Sequence, residues 1–330
     1  MKKTSLATKI VVLVLIAIAC IAPHVVGLKN NYLINILCSY CYYGIMCCSL
    51  NLLLGYTGQI SMGHAAFMMI GAYTYAILNK YHNVNFLLSA VAAIIVSFGS
   101  GMLLGAACCK LNTIFLAMTT VGFYKAVSLI IINEAEITGG ATGIPAISKW
   151  VIFGTKLKNW QFYYIALVCL LLVFLFCYNL VNSKTGRSMQ AMCSSPIAAS
   201  AMGINNNGLK FLVCGISAAL AGLAGVLYVV TNSYVSADMF SRVSVSTLTM
   251  TVVGGMGTLW GPVFGTLIIA TLPELLRSAS QHLDGVYGIV IILVVLFMPN
   301  GIYGTLRNAV SSVKIKAALK KAGTAEKGGE

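Results

Sequence analysis

Long apolar runs, repeated along almost the whole chain, constrain its fold more than any other feature. Runs of about twenty residues recur between short polar stretches, and about twenty apolar residues in a helix are needed to cross the hydrocarbon core of a bilayer. Hydrophobic residues make up 59% of the 330 residues and charged residues only 8%, unlike an ordinary soluble domain. The sequence therefore predicts an all-α, polytopic membrane helical bundle of about ten transmembrane segments, some of them short or broken.

The distribution of basic residues predicts the topology of a single transmembrane domain, residues 1–330. Lysines and arginines punctuate the apolar runs instead of gathering on one face, which indicates positive-inside signals and not nucleic-acid binding. The side that holds both termini and the 184–210 loop carries the larger share of them. We therefore expect residues 1–9, the 184–210 loop and the basic tail 305–330 to be cytoplasmic.

The longest polar interruption between apolar runs spans residues 184–210. Ser194 or Ser195 can cap a helix whose first residue is Pro196. Gly203 is placed to end that helix. We expect the chain to leave the bilayer here, form one small surface helix and return, an arrangement that favours contact with a partner.

Glycines and alanines mark one region of close helix packing and one helix break. In ISAALAGLAG, Gly222 and Gly225 each lie four residues after an alanine, and the resulting stripes of small side chains allow intimate helix contact. As one helix, the region from Ser244 to Leu276 would be about 50 Å long, whereas the hydrocarbon core is roughly 30 Å thick, so the helix must break. The break is expected in VVGGMGTLWGPVFG, at Pro262 and the structural glycines Gly255, Gly257 and Gly261.

A few polar side chains within apolar runs are candidates to line a transport pathway. Gln59, Ser61 and His64 follow the glycine-rich turn GYTG, and Thr119 and Lys125 lie in a later apolar run. Polar groups are costly in hydrocarbon, so they face a cavity or bond across helices, and a lysine can also reach the interface. Pathway lining and helix-to-helix bonding both remain open for the first three, as do cavity and interface for Lys125.

The sequence offers little for chemistry within the chain. Ser61 and His64 are three residues apart and could share a helix face as nucleophile and base, but no third orienting group accompanies them, and we predict no catalytic residues. Cys38 and Cys41 have metal-site spacing without a second pair to complete four ligands, so no metal site is predicted. A phosphate-binding glycine loop is missing from the sequence. We therefore expect no cofactor on this chain and ATP hydrolysis elsewhere.

A series of glycine-rich and apolar motifs runs in order along residues 45–304. The motifs are NLLLGYTGQISMGHAAFMMIGAYTYAIL (Asn51 to Leu78), ITGGATGIP (Ile137 to Pro145), GRSMQAM (Gly186 to Met192), AASAMGI (Ala198 to Ile204), ISAALAGLAGVLY (Ile216 to Tyr228), VVGGMGTLWGPVFG (Val252 to Gly265), LPELLR (Leu272 to Arg277) and PNGIYG (Pro299 to Gly304). As a set, they resemble the permeases of branched-chain amino-acid ABC transporters, of the LivM type and its LivH sister.

This resemblance implies a permease subunit of an ABC importer in the bacterial cytoplasmic (inner) membrane, which moves a small polar solute inward by alternating access. Branched-chain amino acids are the favoured solutes. Urea or short amides and sugars remain open within this class, and a stand-alone secondary transporter remains open in another. The implied partners are a second permease subunit (LivH-like or a second copy), two cytoplasmic ATPase subunits that bind ATP and Mg, an extracytoplasmic solute-binding protein and membrane lipid.

The resemblance also implies a role for the surface helix. AASAMGI corresponds to the coupling helix of the family, which lies in a groove of an ATPase. The residues expected at that contact are Ser195, Pro196, Ala198, Ala199, Met202 and Gly203. Two departures accompany the match, since Cys193 to Pro196 stand where the family carries acidic residues, and Lys125 stands about where members often carry another.

Overall fold

The apolar runs fold into helices that pack side by side. The computed structural model describes residues 23, 31–108, 111, 113–145, 147, 151–152, 155–156, 158–275, 285–286, 288–289, 292–293, 296, 298 and 301–305. The predictions made for residues 1–9 and for the tail beyond residue 305 lie outside the described residues.

Helices dominate the described residues. They are α1 (Asn31–Thr57), α2 (Ala65–Lys80), α3 (Phe86–Cys108), α4 (Thr113–Asn133), α5 (Ala135–Thr138), α6 (Asn159–Asn182), α7 (Lys184–Ser194), α8 (Pro196–Ala201), α9 (Asn206–Asn232), α10 (Val243–Gly254), α11 (Gly261–Ile269) and α12 (Leu272–Leu275). Short 3-10 helices span Gly140–Thr142 and Ala237–Phe240. The strands described are β1 (Ile144–Pro145), β2 (Val151–Ile152), β3 (Thr155–Lys156) and β4 (Tyr234–Val235), with β1 antiparallel to β4 and β2 antiparallel to β3.

Five of the described helices are long and apolar enough to cross a membrane, namely α1, α3, α4 from Ile114 onward, α6 and α9. They confirm the predicted helical membrane architecture. The expected number of about ten segments is not confirmed within the described residues, because α2, α10 and α11 are too short to cross alone. The 16 residues of α2 extend about 24 Å, less than the hydrocarbon thickness of about 30 Å.

Helix α9 is the centre of the bundle and packs against α1, α2 and α3. Its glycines permit the closest contacts. A Cβ atom on Gly222 would overlap the Ser97 side chain of α3, and one on Gly225 would overlap the carbonyl oxygen of Met68 in α2. Backbones approach this closely only where side chains are small, so α9 is fixed against α2 on one side and α3 on another.

Contacts between turns define two ends of the molecule. At one end, the Lys210 ammonium group near the start of α9 donates to the Leu111 carbonyl after α3 at 3.5 Å, and α7 packs on α1 and α6. At the opposite end, the Lys80 ammonium group donates to the Pro145 carbonyl at 2.9 Å, and β1 pairs with β4. We call these the α7–α8 end and the β end.

The predicted break between Ser244 and Leu276 is present. Helix α10 ends at Gly254, α11 begins at Gly261, and the two short helices pack against each other. In the turn between them, Gly255 and Gly257 have φ angles of 117° and 69°, a region that residues with a Cβ atom rarely adopt. Gly261 lies directly against the Gly255 carbonyl.

A side chain from α1 covers the exposed backbone of this break. The Asn51 amide nitrogen donates to the Thr258 carbonyl at 2.8 Å, and its amide oxygen accepts from the Gly257 N–H at 3.0 Å. Asn51 is only 2% exposed. Irregular backbone survives at membrane depth only when protein or a cavity covers it, and Asn51 provides that cover.

Candidate functional site

A buried polar turn between α1 and α2 brings together three of the predicted pathway residues. Gln59, Ser61 and His64 are 6%, 4% and 1% exposed. The turn begins at Gly58, whose φ angle is 69°. Helix α2 starts only at Ala65, so the expectation that Ser61 and His64 share a helix face is wrong, because Ser61 lies in irregular backbone before the helix.

The His64 imidazole joins three parts of the bundle. Its Nε2 lies 2.5 Å from the Ser49 hydroxyl of α1 and 3.4 Å from the Ser217 hydroxyl of α9. Ser217 in turn donates to the Ser49 carbonyl at 2.7 Å. Both serines are fully buried, so this cluster of hydrogen bonds ties the α1–α2 turn to the central helix.

Two further hydroxyl groups hold the backbone of the turn. Thr120 of α4 accepts from the N–H groups of Met62 and Gly63 at 3.1 and 3.4 Å, and Ser244 of α10 accepts from the Ala65 N–H at 3.1 Å. The first N–H groups of a helix have no partner within that helix. The Ser244 hydroxyl therefore satisfies the first N–H group of α2 and connects it to α10, whereas the Thr120 hydroxyl connects the backbone just before α2 to α4.

Several polar atoms near the turn have no hydrogen-bond partner within the described residues. They are Gln59 Nε2, Ser61 Oγ, His64 Nδ1 and, in α10, Thr247 Oγ1. Leaving a buried donor or acceptor unsatisfied costs about 1–3 kcal/mol, and native proteins contain few such groups. Their concentration here fits a site that bonds a polar solute or water.

The other two predicted pathway residues lie elsewhere, on α4. The Thr119 hydroxyl bonds the Phe115 carbonyl of its own helix at 2.8 Å, and it is the neighbouring Thr120 that reaches the turn. Lys125 is exposed and lies 5.8 Å from the Tyr124 ring centre. Apolar residues surround it on the same helix face, including Met118 and Leu129, which are 66% and 57% exposed.

The 184–210 loop contains two helices where the sequence predicts one. Helix α7 was missed because seven of its eleven residues are polar or glycine, as in an ordinary loop, whereas Met189 and Met192 are three residues apart and both buried. Methionines at that spacing lie on one face of a helix. They hold α7 against the bundle, and α8 follows it after one residue.

Helix α8 begins as the sequence predicts. The Ser195 hydroxyl accepts from the Ala198 N–H at 3.3 Å and Pro196 occupies the first turn. The helix ends at Ala201, with Met202 at its C-cap, and Gly203 follows with a φ angle of 80°.

The predicted contact residues of α8 differ in their exposure. Pro196, Ala198, Met202 and Gly203 are exposed and Ser195 is half-buried. Ala199 is 3% exposed and packs within its own chain, so it offers little surface to a partner. Ile197, which was not among the predicted residues, is 85% exposed, and Met202 is 82% exposed. Two large apolar side chains therefore project from a short surface helix.

Sequence reasoning missed several members of the buried cluster. Ser49, Asn51, Thr120 and Ser217 are polar residues inside apolar runs. Their position in such runs was a usable signal, because buried polar groups in a membrane protein need partners. Which partners they find depends on tertiary packing, since Ser217 and His64 are 153 residues apart.

Comparison with known proteins agrees with this architecture. The profile of the family described as "Branched-chain amino acid transport system / permease component" matches residues 32–298. No solved structure matches the chain.

Curated relatives cover most of the chain. The high-affinity branched-chain amino acid transport system permease protein LivM of Salmonella typhimurium (strain LT2) is 28% identical over 95% of this chain and 78% of that protein. LivM of Escherichia coli (strain K12) is 29% identical over 79% of this chain and 67% of that protein. The permease protein LivH of the same E. coli strain is 26% identical over 79% of this chain and 91% of that protein.

The family profile covers well over half of the 330 residues, and it includes the buried turn, the surface helices and the α10–α11 break. The chain therefore belongs to the family of branched-chain amino acid transport permeases.

Proposed function

We propose that this chain is one of two permease subunits of an ATP-driven importer of branched-chain amino acids in a bacterial cytoplasmic membrane. The choice of solute is supported by the LivM and LivH relatives, whose names state branched-chain amino acid transport. The second permease is a LivH-like subunit or another copy of this chain. Two cytoplasmic ATPases bind ATP and Mg, and an extracytoplasmic solute-binding protein delivers the solute.

Helix α8 is the observation that carries this proposal. It is a six-residue capped helix, it lies between two helices that can span a membrane, and it exposes Ile197 and Met202 almost completely. Two such side chains on a short helix in a polar loop are available as apolar anchors for a partner protein. The proposed partner is a groove of an ATPase subunit, filled by Ile197, Met202 and the exposed Pro196, Ala198 and Gly203.

The charges near α8 support a cytoplasmic position for the α7–α8 end. Lys184 and Arg187 in α7 and Lys210 in α9 all lie at this end, and basic residues are enriched in cytoplasmic loops. Residues 1–9 and 305–330 belong to the same side in this topology. The β end then faces the solute-binding protein.

The exposed face of α4 supports the presence of a second permease. Lys125 stands among exposed apolar residues in the middle of a candidate membrane span. A charged group at that depth is costly in lipid and normally faces protein or a water-lined path. We place Lys125 and Thr119 at the boundary between the two permeases, and Gln59, Ser61 and His64 inside this subunit next to the pathway.

Transport follows from the way these parts are connected. ATP binding closes the ATPases and moves α8, and the helices attached to it shift as rigid bodies to exchange access between the two sides. The α10–α11 break and the α1–α2 turn are the irregular backbone segments that pack beside α1 and can adjust during this shift.

ATP-dependent leucine uptake into proteoliposomes tests the proposal. The complete complex and its binding protein should take up leucine only with ATP inside, and omission of this permease should abolish uptake. Replacing Ile197→Ser should lower uptake at least about tenfold, because an apolar anchor residue in an interface is worth about 2 kcal/mol or more. Gln190→Ser, on the exposed side of α7, serves as the matched control.

Two results would contradict the proposal. Uptake by the permease alone without ATPases would indicate a secondary transporter, and faster uptake of urea or ribose than of leucine would reject the solute. Full uptake by the Ile197→Ser complex, with ATPases still bound, would reject α8 as the coupling contact.

A further inference from the structure

A cavity of about 510 Å³ lies at the α7–α8 end of the molecule. Its walls come from the end of α1 and the turn that follows it, from the start of α4, and from the junction between α7 and α8. The volume lies within the range of about 300–1,000 Å³ that is usual for small-molecule sites. The cavity is therefore large enough for an amino acid or a short organic acid.

Gln59 provides an unsatisfied hydrogen-bond donor in the cavity wall. Its side chain is 6% exposed, and its amide nitrogen has no hydrogen-bond partner within the described residues. A buried amide group of this kind is destabilising unless a ligand or a water molecule accepts from it. The arrangement thus favours a ligand that carries an acceptor atom.

The other side chains that line the cavity indicate the charge and the apolar part of the ligand. Lys210 brings the one charged group among the described residues that line the cavity, and apolar surface comes from Leu116, Met192 and Pro196. A positive charge, an amide donor and an apolar wall together suit an anion with a short hydrocarbon part. Carboxylate is the acceptor that pairs most strongly with such donors.

We propose that this cavity binds the carboxylate of a short branched-chain acid, the class to which the imported amino acids belong, on the exit side of the permease. The inference rests on the proposed function, which sets the solute and the cytoplasmic position of the cavity. The carboxylate accepts from the Gln59 amide and faces Lys210, while the branched side chain packs on Leu116 and Met192. The ammonium group of an amino acid points out of the mouth.

The position of this site connects solute to the surface helices. Gly58, at the start of the buried turn, lies against Cys193, since a Cβ atom on Gly58 would stand 3.3 Å from the Cys193 sulfur. Pro196, the first residue of α8, also lines the cavity. A bound acid therefore touches both the α1–α2 turn and the base of α8.

Cys193 offers a direct probe of occupancy. It lines the cavity and is the exposed cysteine among those that the structure describes, the others being buried or half-buried. Cys20 and Cys109 lie outside the described residues, so the labelling experiment uses a variant in which both are replaced by serine. The rate at which N-ethylmaleimide labels Cys193 is then measured in the complete transporter complex in lipid nanodiscs.

Three probe molecules separate the chemical groups of the solute. We expect L-leucine and 4-methylpentanoate, which carry the carboxylate, to slow labelling of Cys193, and isoamylamine, which carries only the amine, to leave it unchanged. Lys210→Met and Gln59→Leu should each raise the half-protecting concentration at least about tenfold, the loss expected for one charge-assisted hydrogen bond. Lys184→Met and Gln190→Leu, outside the cavity, should leave it unchanged.

The inference is overturned if neither carboxylate compound slows labelling of Cys193, or if isoamylamine slows it equally. It is also overturned if L-leucine protects Cys193 in the Lys210→Met variant at the same concentration as in the parent protein. Uptake measured on the same complexes separates this failure from failure of the proposed function. Intact ATP-dependent leucine uptake without protection rejects only the cavity site, whereas loss of uptake in the parent complex rejects the proposed function.

Discussion

His64 joins buried hydroxyl groups of two helices through one ring nitrogen. Its ring packs edge-on against Phe67 at 5.6 Å between ring centres. The imidazole thus fills space and satisfies hydrogen bonds at the same time. Removing it leaves both a cavity and a Ser49 hydroxyl without this partner.

We predict that His64→Ala lowers the free energy of unfolding by about 2–4 kcal/mol, from the lost hydrogen bond and the cavity together. Reversible unfolding of the purified permease in mixed micelles with increasing SDS measures this change. His82→Ala, at an exposed position in the turn after α2, is the matched control and should change stability by less than about 0.5 kcal/mol. A loss of unfolding free energy for His64→Ala as small as that for His82→Ala would contradict a structural role of His64.

The residues that sequence alone could predict are those whose signals are local. Ser195 and Pro196 are adjacent residues that specify a helix start, and the Ser195 hydroxyl accepts from the Ala198 N–H three residues later as expected. His64 was a candidate because it is polar within an apolar run, but its partners lie 15 and 153 residues away. Only the packing of α1 against α9 brings those serines to it, so their identity could not be read from spacing.

Helix elements in this chain depend on backbone-to-backbone contact as much as on side-chain packing. Gly225 of α9 lies against the Met68 carbonyl of α2, whereas Gly99 of α3 has no atom within 4 Å of the position that a Cβ would take. Both glycines are inside helices. They differ only in what surrounds them, and this makes them a matched pair.

We predict opposite signs for alanine at these two positions. Gly225→Ala should destabilise the permease by about 1–3 kcal/mol because the added methyl group forces α2 and α9 apart. Gly99→Ala should be neutral or stabilising by up to about 1 kcal/mol because alanine favours the helix. SDS unfolding of both variants measures the difference, and destabilisation of similar size in both would contradict the proposed packing of α9.

Element boundaries were predictable where length and hydrophobicity decide them. The α10–α11 break follows from a run too long for the bilayer, and Gly255 and Gly257 occupy the turn. Helix α7 and the late start of α2 were not predictable in this way. In both cases the outcome depends on a few contacts, the burial of Met189 and Met192 for α7 and the Thr120 and Ser244 hydroxyls for α2.

Two apolar surfaces of the whole molecule differ in one charge. The exposed face of α3 carries large apolar residues such as Leu88 and Leu103, which are 64% and 69% exposed. The exposed face of α4 is similar except for Lys125 at its centre. Lipid suits the first face, whereas the second needs protein or water around the ammonium group. We therefore expect the exposed face of α4, and not that of α3, to contact another protein subunit.

We predict that the second permease covers the α4 face. A photoreactive p-benzoylphenylalanine in place of Met118 should crosslink to that subunit in the assembled complex, and the same group in place of Leu103 should not. Gel electrophoresis and mass spectrometry of the irradiated complex identify the crosslinked partner. Crosslinking to the second permease from Leu103 alone would assign the interface to α3 instead.

Helix α9 connects the two ends of the molecule mechanically, because each of its ends is bonded to a different one. Near its start, the Asn206 amide nitrogen donates to the Pro196 carbonyl of α8 at 2.7 Å, and just beyond its last residue β4 pairs with β1. Its 27 residues form a rod about 40 Å long. A tilt of about 5° around its middle would move its two ends in opposite directions by roughly 2 Å each. If α8 is pushed as the proposed coupling requires, α9 would carry that movement to the β1–β4 ladder as a single helix, together with the helices α2 and α3 that it contacts.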